Sequence, residues 1–457
     1  MDQSEIQDLI RRQREFFAAG KTRDISFRLE QLKKLRTMIT ENEGAIFDAL
    51  KRDLNKPAWE AYAGDTAIVV NELDYAVKHL RSWAKPKRVK TPLAYFPGSS
   101  HIHPAPYGVA LIIGPWNFPV QLTLAPLVGA VAAGNCAVLK PSEVSPHTSR
   151  LLARLINKNF DDAFFAVVEG GADIARALLA EKFDCIFFTG SVGVGKLVME
   201  AAAKHLTPVT LELGGKNPCI VDADIHLDYA ARRITWGKFF NAGQSCVAPD
   251  YLLVDKRIKR ELLEHIDCTI REFYGNDPSQ SPDYARIVND RHFDRITNLI
   301  KYGNIILGGK TDRTARYIAP TLLDNVVVDS PVMEEEIFGP VLPVIEYEDL
   351  SRAIAIVNEM PRPLALYIFS RSRKVQERVL RETSSGGGCI NDTTIHETTP
   401  YLPFGGAGKS GIGKYHGKAS FDAFSHVRSI IKQGFLFDIK LRYPPYKGKL
   451  KFMKKIF

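Results

Sequence analysis

The stretch Tyr107-Gly108-Val109-Ala110-Leu111-Ile112-Ile113-Gly114 is apolar and rich in aliphatic residues. A run of this kind, without alternation of polar and apolar positions, is typical of a strand buried on both faces. A helical stretch of small apolar residues follows at 119–133, and 136–139 is a second apolar run of strand length. Strands that alternate with helices in this way predict a parallel α/β sheet.

A third apolar run, 185–188, leads into the glycine-rich turn Gly190-Ser191-Val192-Gly193-Val194-Gly195-Lys196, which opens a predicted helix. Backbone N–H groups of such a turn, with the helix N-terminus, can bind a pyrophosphate. The spacing is GxxGxG, not the usual GxGxxG of dinucleotide-binding turns, and Leu197 stands where a Walker motif needs a hydroxyl. The turn indicates either a cofactor site or only a tight connection, and it argues against an ATPase.

Two side chains follow the second apolar run, at the predicted edge of the sheet. They are Lys140 and Glu143 of Lys140-Pro141-Ser142-Glu143. Ligands of open α/β sheets bind at the carboxyl ends of the strands, where both side chains can bond sugar hydroxyls. The acid would repel a ribose 2′-phosphate and therefore favours NAD. Taken alone, however, the motif is better explained by an exposed lysine followed by a helix cap.

One of the six cysteines lies in a distinctive context. Cys246 ends Gly243-Gln244-Ser245-Cys246, thirty-four positions after the carboxylate of Glu212 in Glu212-Leu213-Gly214-Gly215-Lys216. A substrate can approach such a thiol closely, and a glutamate before a Gly-Gly turn can act as a base toward a thiol or a water. The pair suggests covalent catalysis through sulfur, whereas a cysteine considered alone is more often an inert buried side chain.

Composition indicates the class of protein. The 457 residues exceed what one hydrophobic core usually serves, so two domains or more are expected. The sequence has no run of eighteen apolar residues, no signal-peptide pattern, and no CxxC or metal-finger spacing among its cysteines. We therefore predict a cytoplasmic, reducing environment without disulfides or a metal site.

The formal charge of +9 is concentrated in the C-terminal tail, residues 431–457. Eight basic residues and one acid in this tail supply +7 of that charge. The remainder of the chain is nearly neutral, which argues against a nucleic-acid partner.

Six segments, four of them described above in whole or in part, occur in the order found in a single enzyme superfamily. They are Pro115-Trp116-Asn117-Phe118-Pro119, Lys140-Pro141-Ser142-Glu143, Phe188-Thr189-Gly190-Ser191, Glu212-Leu213-Gly214-Gly215-Lys216, Gly243-Gln244-Ser245-Cys246 and Glu335-Glu336-Ile337-Phe338-Gly339-Pro340. Together they are very specific, and the chain resembles the aldehyde dehydrogenase superfamily to about residue 430. The short N-terminus and the segments 403–411, 415–418 and 420–425 resemble its class 3 branch, which includes fatty aldehyde dehydrogenases.

The resemblance implies catalytic roles for three residues. Cys246 would attack the aldehyde carbonyl as a thiolate, and the amide of Asn117 with the backbone N–H of Cys246 would hold the oxyanion. Water activated by Glu212 would then hydrolyse the thioester. The complete set of three argues against a catalytically silent binding or structural protein, an alternative that fold alone leaves open.

The same resemblance implies a nicotinamide cofactor, NAD with NADP tolerated, because class 3-like enzymes can use NADP despite the glutamate. The residues implied to bind it, from the adenosine ribose through the pyrophosphate to the nicotinamide, are Lys140, Glu143, Gly190, Ser191, Glu336 and Phe338. The implied reaction is the oxidation of apolar aldehydes, whether medium- or long-chain, aromatic or polyene, to carboxylic acids through a thiohemiacetal and a thioester. A CoA-acylating reductase stays open as an alternative, although Glu212 argues for hydrolysis.

The implied fold is α/β, with a doubly wound dinucleotide-binding domain (1–84 and 105–211) and an α/β catalytic domain (212–394). A small bridging β element (85–104 and 395–430) normally joins subunits in this superfamily, so a homodimer is expected. The basic amphipathic tail (431–457) follows.

The tail predicts a short helix with an apolar and a basic side. The apolar residues are Leu450, Phe452, Met453, Ile456 and Phe457. Three interpretations stay open: contact with an anionic membrane surface, a cover over a funnel for long apolar aldehydes, or a solvated terminus.

Overall fold

The structure is a computed structural model that describes residues 1–438 and 440–456, without the side chain of Ile456. Its strands are β1 (Lys87–Val89), β2 (Ser99–Pro106), β3 (Val109–Ile113), β4 (Cys136–Lys140), β5 (Phe165–Val167), β6 (Cys185–Gly190), β7 (Val209–Leu213), β8 (Pro218–Val221), β9 (Tyr251–Asp255), β10 (Asn304–Leu307), β11 (Thr311–Asp312), β12 (Tyr317–Ile318), β13 (Thr321–Asp324), β14 (Val341–Tyr347), β15 (Ala365–Phe369), β16 (Gly387–Ile390), β17 (Gly411–Ile412) and β18 (Ser425–Lys432). Its α-helices are α1 (Gln3–Ala18), α2 (Ile25–Glu41), α3 (Glu43–Leu54), α4 (Ala58–Ala61), α5 (Ala67–Trp83), α6 (Gln121–Ala133), α7 (Pro146–Asn159), α8 (Ala172–Ala180), α9 (Val192–Ala203), α10 (Leu227–Phe239), α11 (Lys259–Tyr274), α12 (Asp290–Leu299), α13 (Pro331–Glu334), α14 (Leu350–Glu359), α15 (Arg373–Glu382), α16 (Lys418–Ala423) and α17 (Leu450–Ile456).

The first sheet has the strand order β17-β7-β6-β3-β4-β5. Strands β3 to β7 are parallel, and β17 is antiparallel to β7 at the edge. The chain runs outward from β3 through β4 to β5 and then returns to the other side of β3 with β6 and β7. This reversal is the topological switch point of a doubly wound sheet, where ligands bind at the carboxyl ends of the strands. The predicted doubly wound α/β architecture is confirmed.

The core of this sheet explains its sequence. β3 and β4 are buried along their whole length, so their side chains must be apolar on both faces. The predicted small-residue helix is α6, which is also buried throughout and packs on both strands. At Gly129 an added Cβ would lie 2.7 Å from the Cβ of Ser420 on α16, so this helix pair requires a glycine.

The second sheet has the order β10-β13-β14-β9-β8-β15-β16, parallel except for β10 at one edge. β7 ends at Leu213 and β8 begins at Pro218, so the segment 214–217 carries the chain from the first sheet to the second. The motif that contains Glu212 therefore lies at the junction of the two sheets.

A third sheet, β1-β2-β18, is antiparallel. Its strands come from 87–89, 99–106 and 425–432, so β18 extends two residues into the predicted tail. β17, although it lies inside 395–430, pairs with β7 of the first sheet. A two-residue edge strand such as β17 has no periodicity, which is why its assignment is difficult from sequence. The domain boundaries given above stay predictions.

The helix predicted in the tail is confirmed as α17. Leu450 and Phe452 are 66% and 60% exposed, while Phe457 and the side chain of Ile456 lie outside the described residues. Within 1–438 and 440–456, the helices are all too short or too polar to cross a bilayer.

Candidate active site

The loop that carries Cys246 has an unusual backbone. Asn241 and Ala242 adopt left-handed φ angles of 53° and 51°, and Gly243 follows with φ 74°. Non-glycine residues rarely adopt this conformation, and such strain is often found at functional sites. At Gly243 an added Cβ would lie 2.3 Å from the carbonyl oxygen of Gly339, so this position requires glycine. The resulting kink directs Cys246 into a cavity.

This cavity has a volume of about 500 Å³ and lies at the junction of the two sheets. It brings together most of the predicted site residues, namely Asn117, Gly190, Ser191, Glu212, Cys246, Glu336 and Phe338. These residues come from the ends of β3, β6 and β7 and from the loops before β9 and β14.

The thiol of Cys246 lies near several carboxylates. The residue is partly exposed to the cavity, yet its separation from bulk water raises the pKa of the thiol well above the usual value. The carboxylates of Glu397, Glu336 and Glu212 raise this pKa further. The thiol is therefore protonated in the resting site, and its reaction as a nucleophile requires a base.

Glu212 offers such a base. It lies on β7, is 3% exposed, and neither carboxylate oxygen has a well-formed hydrogen bond to the residues that the structure describes. Burial raises the pKa of this carboxyl well above its usual value, while the backbone N–H of Gly406 and the charge of Lys414 act in the opposite direction. A buried carboxyl with free oxygens can accept a proton or orient a water.

Asn117 joins the loop after β3 to the loop that carries Cys246. Its side-chain Nδ2 donates to the backbone carbonyl of Gln244 at 3.1 Å. Its backbone carbonyl accepts a hydrogen bond from Nδ2 of Asn241 at 3.0 Å. A side-chain amide has two N–H bonds, so one remains for a ligand in the cavity.

A buried ion pair positions the loop 335–340 over the cavity. Nζ of Lys216 lies 2.5 Å from the carboxylate of Asp250, and both side chains are 4% exposed. Lys216 also donates to the carbonyl of Glu335 at 3.0 Å, and Asp250 accepts the N–H of Ile337 at 3.1 Å. The loop is therefore fixed on both sides of Glu336.

Glu336 and Phe338 form one wall of the cavity. An added Cβ at Gly214 would lie 1.8 Å from Oε2 of Glu336, so the glycine makes room for this carboxylate. Burial, and then the charge of Asp250, raise the pKa of Glu336 to about 8. Phe338 has a φ of 48°, and its ring meets Trp116 edge to face at 5.3 Å. A carboxylate and a flat apolar surface thus lie side by side.

The glycine-rich turn forms the opposite end of the cavity. Gly190 and Ser191 line it, and Ser191 is the N-cap of α9. At Gly195 an added Cβ would lie 2.6 Å from a leucine side chain of β7, so the glycine allows α9 to pack close to the strand. The hydroxyl of Thr189 is buried without a hydrogen-bond partner among the described residues. Free backbone N–H groups, the helix dipole and an unpartnered hydroxyl fit the phosphates of a dinucleotide.

Lys140 and Glu143 lie outside the lining of this cavity. Lys140 ends β4, and its Nζ is 2.7 Å from Oε2 of Glu143, whose side chain is 47% exposed. The structure brings these two residues together beside the switch point, one strand away from β3. They do not contact the other predicted site residues in any recorded hydrogen bond or ion pair of the described chain.

Two cavity residues on one helix were not predicted from the sequence. His292 and Arg295 lie one turn apart on α12 and both line the cavity. Arg295 donates to the carbonyl of Ile337 at 2.6 Å, and burial lowers the pKa of His292 to about 4. Their spacing of three residues places both on one face of the helix. On a polar helix, however, such a pair usually faces solvent, so the spacing alone does not indicate a site.

Comparison with known proteins gave consistent findings. Residues 1–430 match the model of the aldehyde dehydrogenase family. A Staphylococcus aureus protein named 4,4′-diaponeurosporen-aldehyde dehydrogenase is 50% identical over 97% of this chain and 97% of its own. The Rattus norvegicus protein named aldehyde dehydrogenase, dimeric NADP-preferring, is 51% identical over 98% and 99% of the two chains. A solved structure of S. aureus AldH, described as its substrate-bound state, matches with a TM-score of 0.97 at 49% identity, covering 99% of both chains.

Proposed function

Because this chain belongs to the aldehyde dehydrogenase family, we propose that it oxidises apolar aldehydes to carboxylic acids through a covalent intermediate on Cys246, with Glu212 as the base. One observation carries this proposal: the thiol of Cys246, the amide of Asn117 and the free carboxyl of Glu212 line a single cavity. That cavity also takes in the N-terminus of α9, where a cofactor phosphate can bind.

The first step is the attack of the Cys246 sulfur on the carbonyl carbon. The raised pKa of the thiol means that its proton must leave as the C–S bond forms, and Glu212 has free oxygens to accept it. Negative charge then develops on the carbonyl oxygen. The amide N–H of Asn117 and the backbone N–H of Cys246 stabilise it, and each such donor contributes roughly 3 kcal/mol.

A nicotinamide cofactor, when bound, would supply the hydride acceptor that the conversion of a thiohemiacetal to a thioester on Cys246 requires. The residues proposed to bind it, from the adenosine ribose to the nicotinamide, are Lys140, Glu143, Gly190, Ser191, Glu336 and Phe338. The exposed carboxylate of Glu143 disfavours a 2′-phosphate, which supports NAD. The ammonium of Lys140, at 2.7 Å, offsets part of this charge, which supports tolerance of NADP, and the rat relative is named NADP-preferring.

Release of the acid completes the reaction. Glu212 first passes the thiol proton to solvent, and its carboxylate then removes a proton from a water. The water oxygen bonds to the thioester carbonyl carbon, the C–S bond breaks, and the proton on Glu212 returns to the sulfur, which gives the carboxylic acid and the thiol. The second candidate, transfer of the acyl group to CoA, would use the same thioester. The buried carboxyl of Glu212 has no well-formed hydrogen bond among the described residues and can therefore orient a water, which favours hydrolysis.

Aromatic side chains that line the cavity beside Asn117 support a flat apolar substrate. The rings of Trp116 and Phe338 both belong to this lining and meet edge to face at 5.3 Å. Such surfaces favour planar conjugated chains and aromatic rings. The S. aureus relative is named for a polyene aldehyde, so polyene and aromatic aldehydes are the first substrates proposed.

The decisive experiment follows NADH and NADPH formation with aldehydes from C3 to C16, benzaldehyde and a polyene aldehyde. Because the proposed substrate surface is apolar, we expect kcat/KM to rise with the apolar surface area of the aldehyde. Because Glu143 disfavours a 2′-phosphate, we expect kcat/KM to be higher with NAD than with NADP. Turnover that requires CoA would favour the acylating alternative. Absence of turnover with every aldehyde and both cofactors would contradict the proposal.

A homodimer is proposed from two unpaired strand edges. β18 is the edge of its sheet, and its residues from 426 to 432 are exposed, including the apolar Val427, Ile430 and Ile431. β16 is the edge of the second sheet, with Ile390 42% exposed. Such edges favour pairing with another chain, and two copies can pair symmetrically. The rat relative is named dimeric.

The tail is proposed to contact an anionic membrane surface. Phe435 and Leu436 are fully exposed, and the segment from 440 to 455 carries seven lysine and arginine residues. At about 1 kcal/mol per basic residue near an anionic leaflet, these charges can hold the protein there reversibly. Membrane contact would also bring the enzyme to the bilayer, where apolar aldehydes concentrate.

Deletion of residues 433–457 tests both proposals. Since the deletion leaves β18 complete, the shortened protein should still have twice the mass of its own chain in solution, as the intact 51.0 kDa chain should, while sedimentation with phosphatidylserine vesicles should be lost. Vesicles of phosphatidylcholine alone are the control. A selective loss of long-chain activity without a change in sedimentation would favour the interpretation in which the tail covers a substrate funnel. No change in either measurement would favour a solvated terminus. A monomeric mass for the intact protein would contradict the homodimer.

A further inference from the structure

Two buried charges outside the cavity remain unexplained by the reaction. Lys56 lies just before α4, and Asp65 lies in the π-helical turn Tyr62–Thr66. Their ammonium and carboxylate are 2.7 Å apart, and both side chains are 0% exposed. Burying an ion costs several kcal/mol unless its partners are well placed, and hydrophobic residues often serve stability equally well. A role in function would explain why charges occupy this position.

The ion pair holds the loop after β3 at Asn117 and in the residues that directly follow it. Nζ of Lys56 donates to the backbone carbonyl of Asn117 at 2.9 Å. Oδ1 of Asp65 accepts the N–H groups of Val120 and Gln121 at 3.1 and 3.3 Å. Because α6 begins at Gln121, the carboxylate also caps this helix. The pair therefore fixes the main chain from 117 to 121.

The same carbonyl of Asn117 continues the network to the nucleophile loop. It also accepts from Nδ2 of Asn241 at 3.0 Å, and that amide donates to the carbonyl of Gln244 at 3.2 Å. Nδ2 of Asn117 donates to the same Gln244 carbonyl at 3.1 Å. The ammonium of Lys56 is thus two hydrogen bonds away from the loop that carries Cys246.

The π-helical turn makes this placement possible. An added Cβ at Gly64 would lie 2.8 Å from the ring of Phe118, so the turn packs tightly against the residue that follows Asn117. Nζ of Lys56 lies 4.2 Å from the centroid of the same ring, a cation–π distance. Single π-helical turns are frequent at functional sites.

We propose that the Lys56–Asp65 ion pair is a positioning element of the oxyanion site, which holds the Asn117 amide where it can donate to the oxygen of the reacting aldehyde. The inference rests on the proposed role of Asn117 as an oxyanion donor. Neither charge enters the cavity lining, so aldehyde binding should not depend on them. Displacement of a catalytic donor by about 1 Å can lower turnover roughly 100-fold, so the effect should fall on kcat.

Lys56→Met is the main test, because it retains the length of the side chain and removes the ammonium. We expect kcat to fall about 10- to 100-fold with little change in KM, and Lys56→Arg to recover part of the loss. Asp65→Asn should lower kcat in the same way, since it leaves an acceptor for the α6 N–H groups but removes the charge that orients Lys56. Hydride formation in the first turnover should slow to the same extent as kcat.

Arg28→Met is the matched control. Arg28 is also a buried cation, 6% exposed, and it donates to the carbonyl of Ala132 at 3.2 Å near the opposite end of α6. This variant should lower the melting temperature and leave kcat per folded molecule near the wild-type value. An equal loss of kcat in Arg28→Met would show that any damage to α6 lowers activity, and it would overturn the positioning role.

Asn117→Ala separates the inference from the proposed function. The double variant Lys56→Met/Asn117→Ala should be no slower than Asn117→Ala alone, because the ion pair acts through that amide. If folded Lys56→Met and Asp65→Asn keep the wild-type kcat while Asn117→Ala loses it, the positioning role is wrong and the oxyanion role stands. If Asn117→Ala keeps the wild-type kcat, the oxyanion role fails and the inference fails with it.

Discussion

Replacement of Cys246 by alanine is expected to lower NADH formation by about 10⁴-fold or more, because no C–S bond to the aldehyde can form. The measurement is steady-state absorbance with saturating aldehyde, together with the intact mass of the protein after one turnover. The wild-type protein should carry a transient acyl adduct at Cys246, and the variant should carry none.

Cys389→Ala provides the matched control for this result. Sγ of Cys389 lies 3.5 Å from Nδ1 of His396, which makes it the thiol most easily mistaken for an activated nucleophile. Burial, however, raises the pKa of Cys389 to about 11 and lowers the pKa of His396 to about 4, so both groups are neutral near pH 7. Cys389→Ala should retain turnover. Loss of turnover in this variant, with activity retained in Cys246→Ala, would identify Cys389 as the nucleophile and contradict the proposal.

Glu212→Gln is expected to block hydrolysis of the thioester while permitting its formation. We expect about one NADH per active site to form in a first burst, followed by a steady-state rate at least roughly 100-fold below that of the wild-type protein. In this variant the thiol proton must pass to another carboxylate near Cys246, that of Glu336 or Glu397, so the burst should be slower than in the wild-type protein but not absent. Rapid mixing measures the burst, and the intact mass of the stalled protein should show the acyl group on Cys246.

The dependence on pH gives a second signature of Glu212. Burial raises the pKa of this carboxyl, so its protonated form, which cannot act as a base, persists to a higher pH than for an exposed glutamate. The hydrolysis rate of the wild-type protein should therefore rise with pH as Glu212 loses its proton. Glutamine does not titrate, so the residual rate of Glu212→Gln should lack this rise.

Glu336→Gln distinguishes the two buried glutamates of the cavity. Its carboxylate lies against Gly214 on the side of the proposed cofactor site. This variant is expected to slow the first burst and to leave hydrolysis intact, the opposite of Glu212→Gln. A stalled acyl-protein in Glu336→Gln, with normal turnover in Glu212→Gln, would assign the hydrolytic base to Glu336.

Much of the candidate site was predictable from local sequence because its parts are local motifs. Gly214, Gly243 and the glycine-rich turn are required by close approaches and by left-handed backbone, and such requirements restrict residue type at the position itself. Cys246 and Glu212 lie beside Gly243 and Gly214, so these motifs located them, whereas Asn117 was located only by the family resemblance of the segment 115–119. Lys140 and Glu143 were placed correctly at a strand end, but no local pattern specified that they lie outside the cavity.

The sequence by itself determined the parallel α/β sheet, because strands such as β3 and β4 that are buried on both faces must be apolar at every position, and this requirement restricts consecutive residues. The doubly wound order of its strands was implied only by the family resemblance. Only the tertiary structure decided which polar groups meet. Lys56 and Asp65 look like ordinary surface charges in sequence, and their partners at Asn117 and Gln121 lie more than fifty residues further along the chain. A buried charge is stabilised by the distance and direction of its partners, and these quantities exist only once remote segments have packed together.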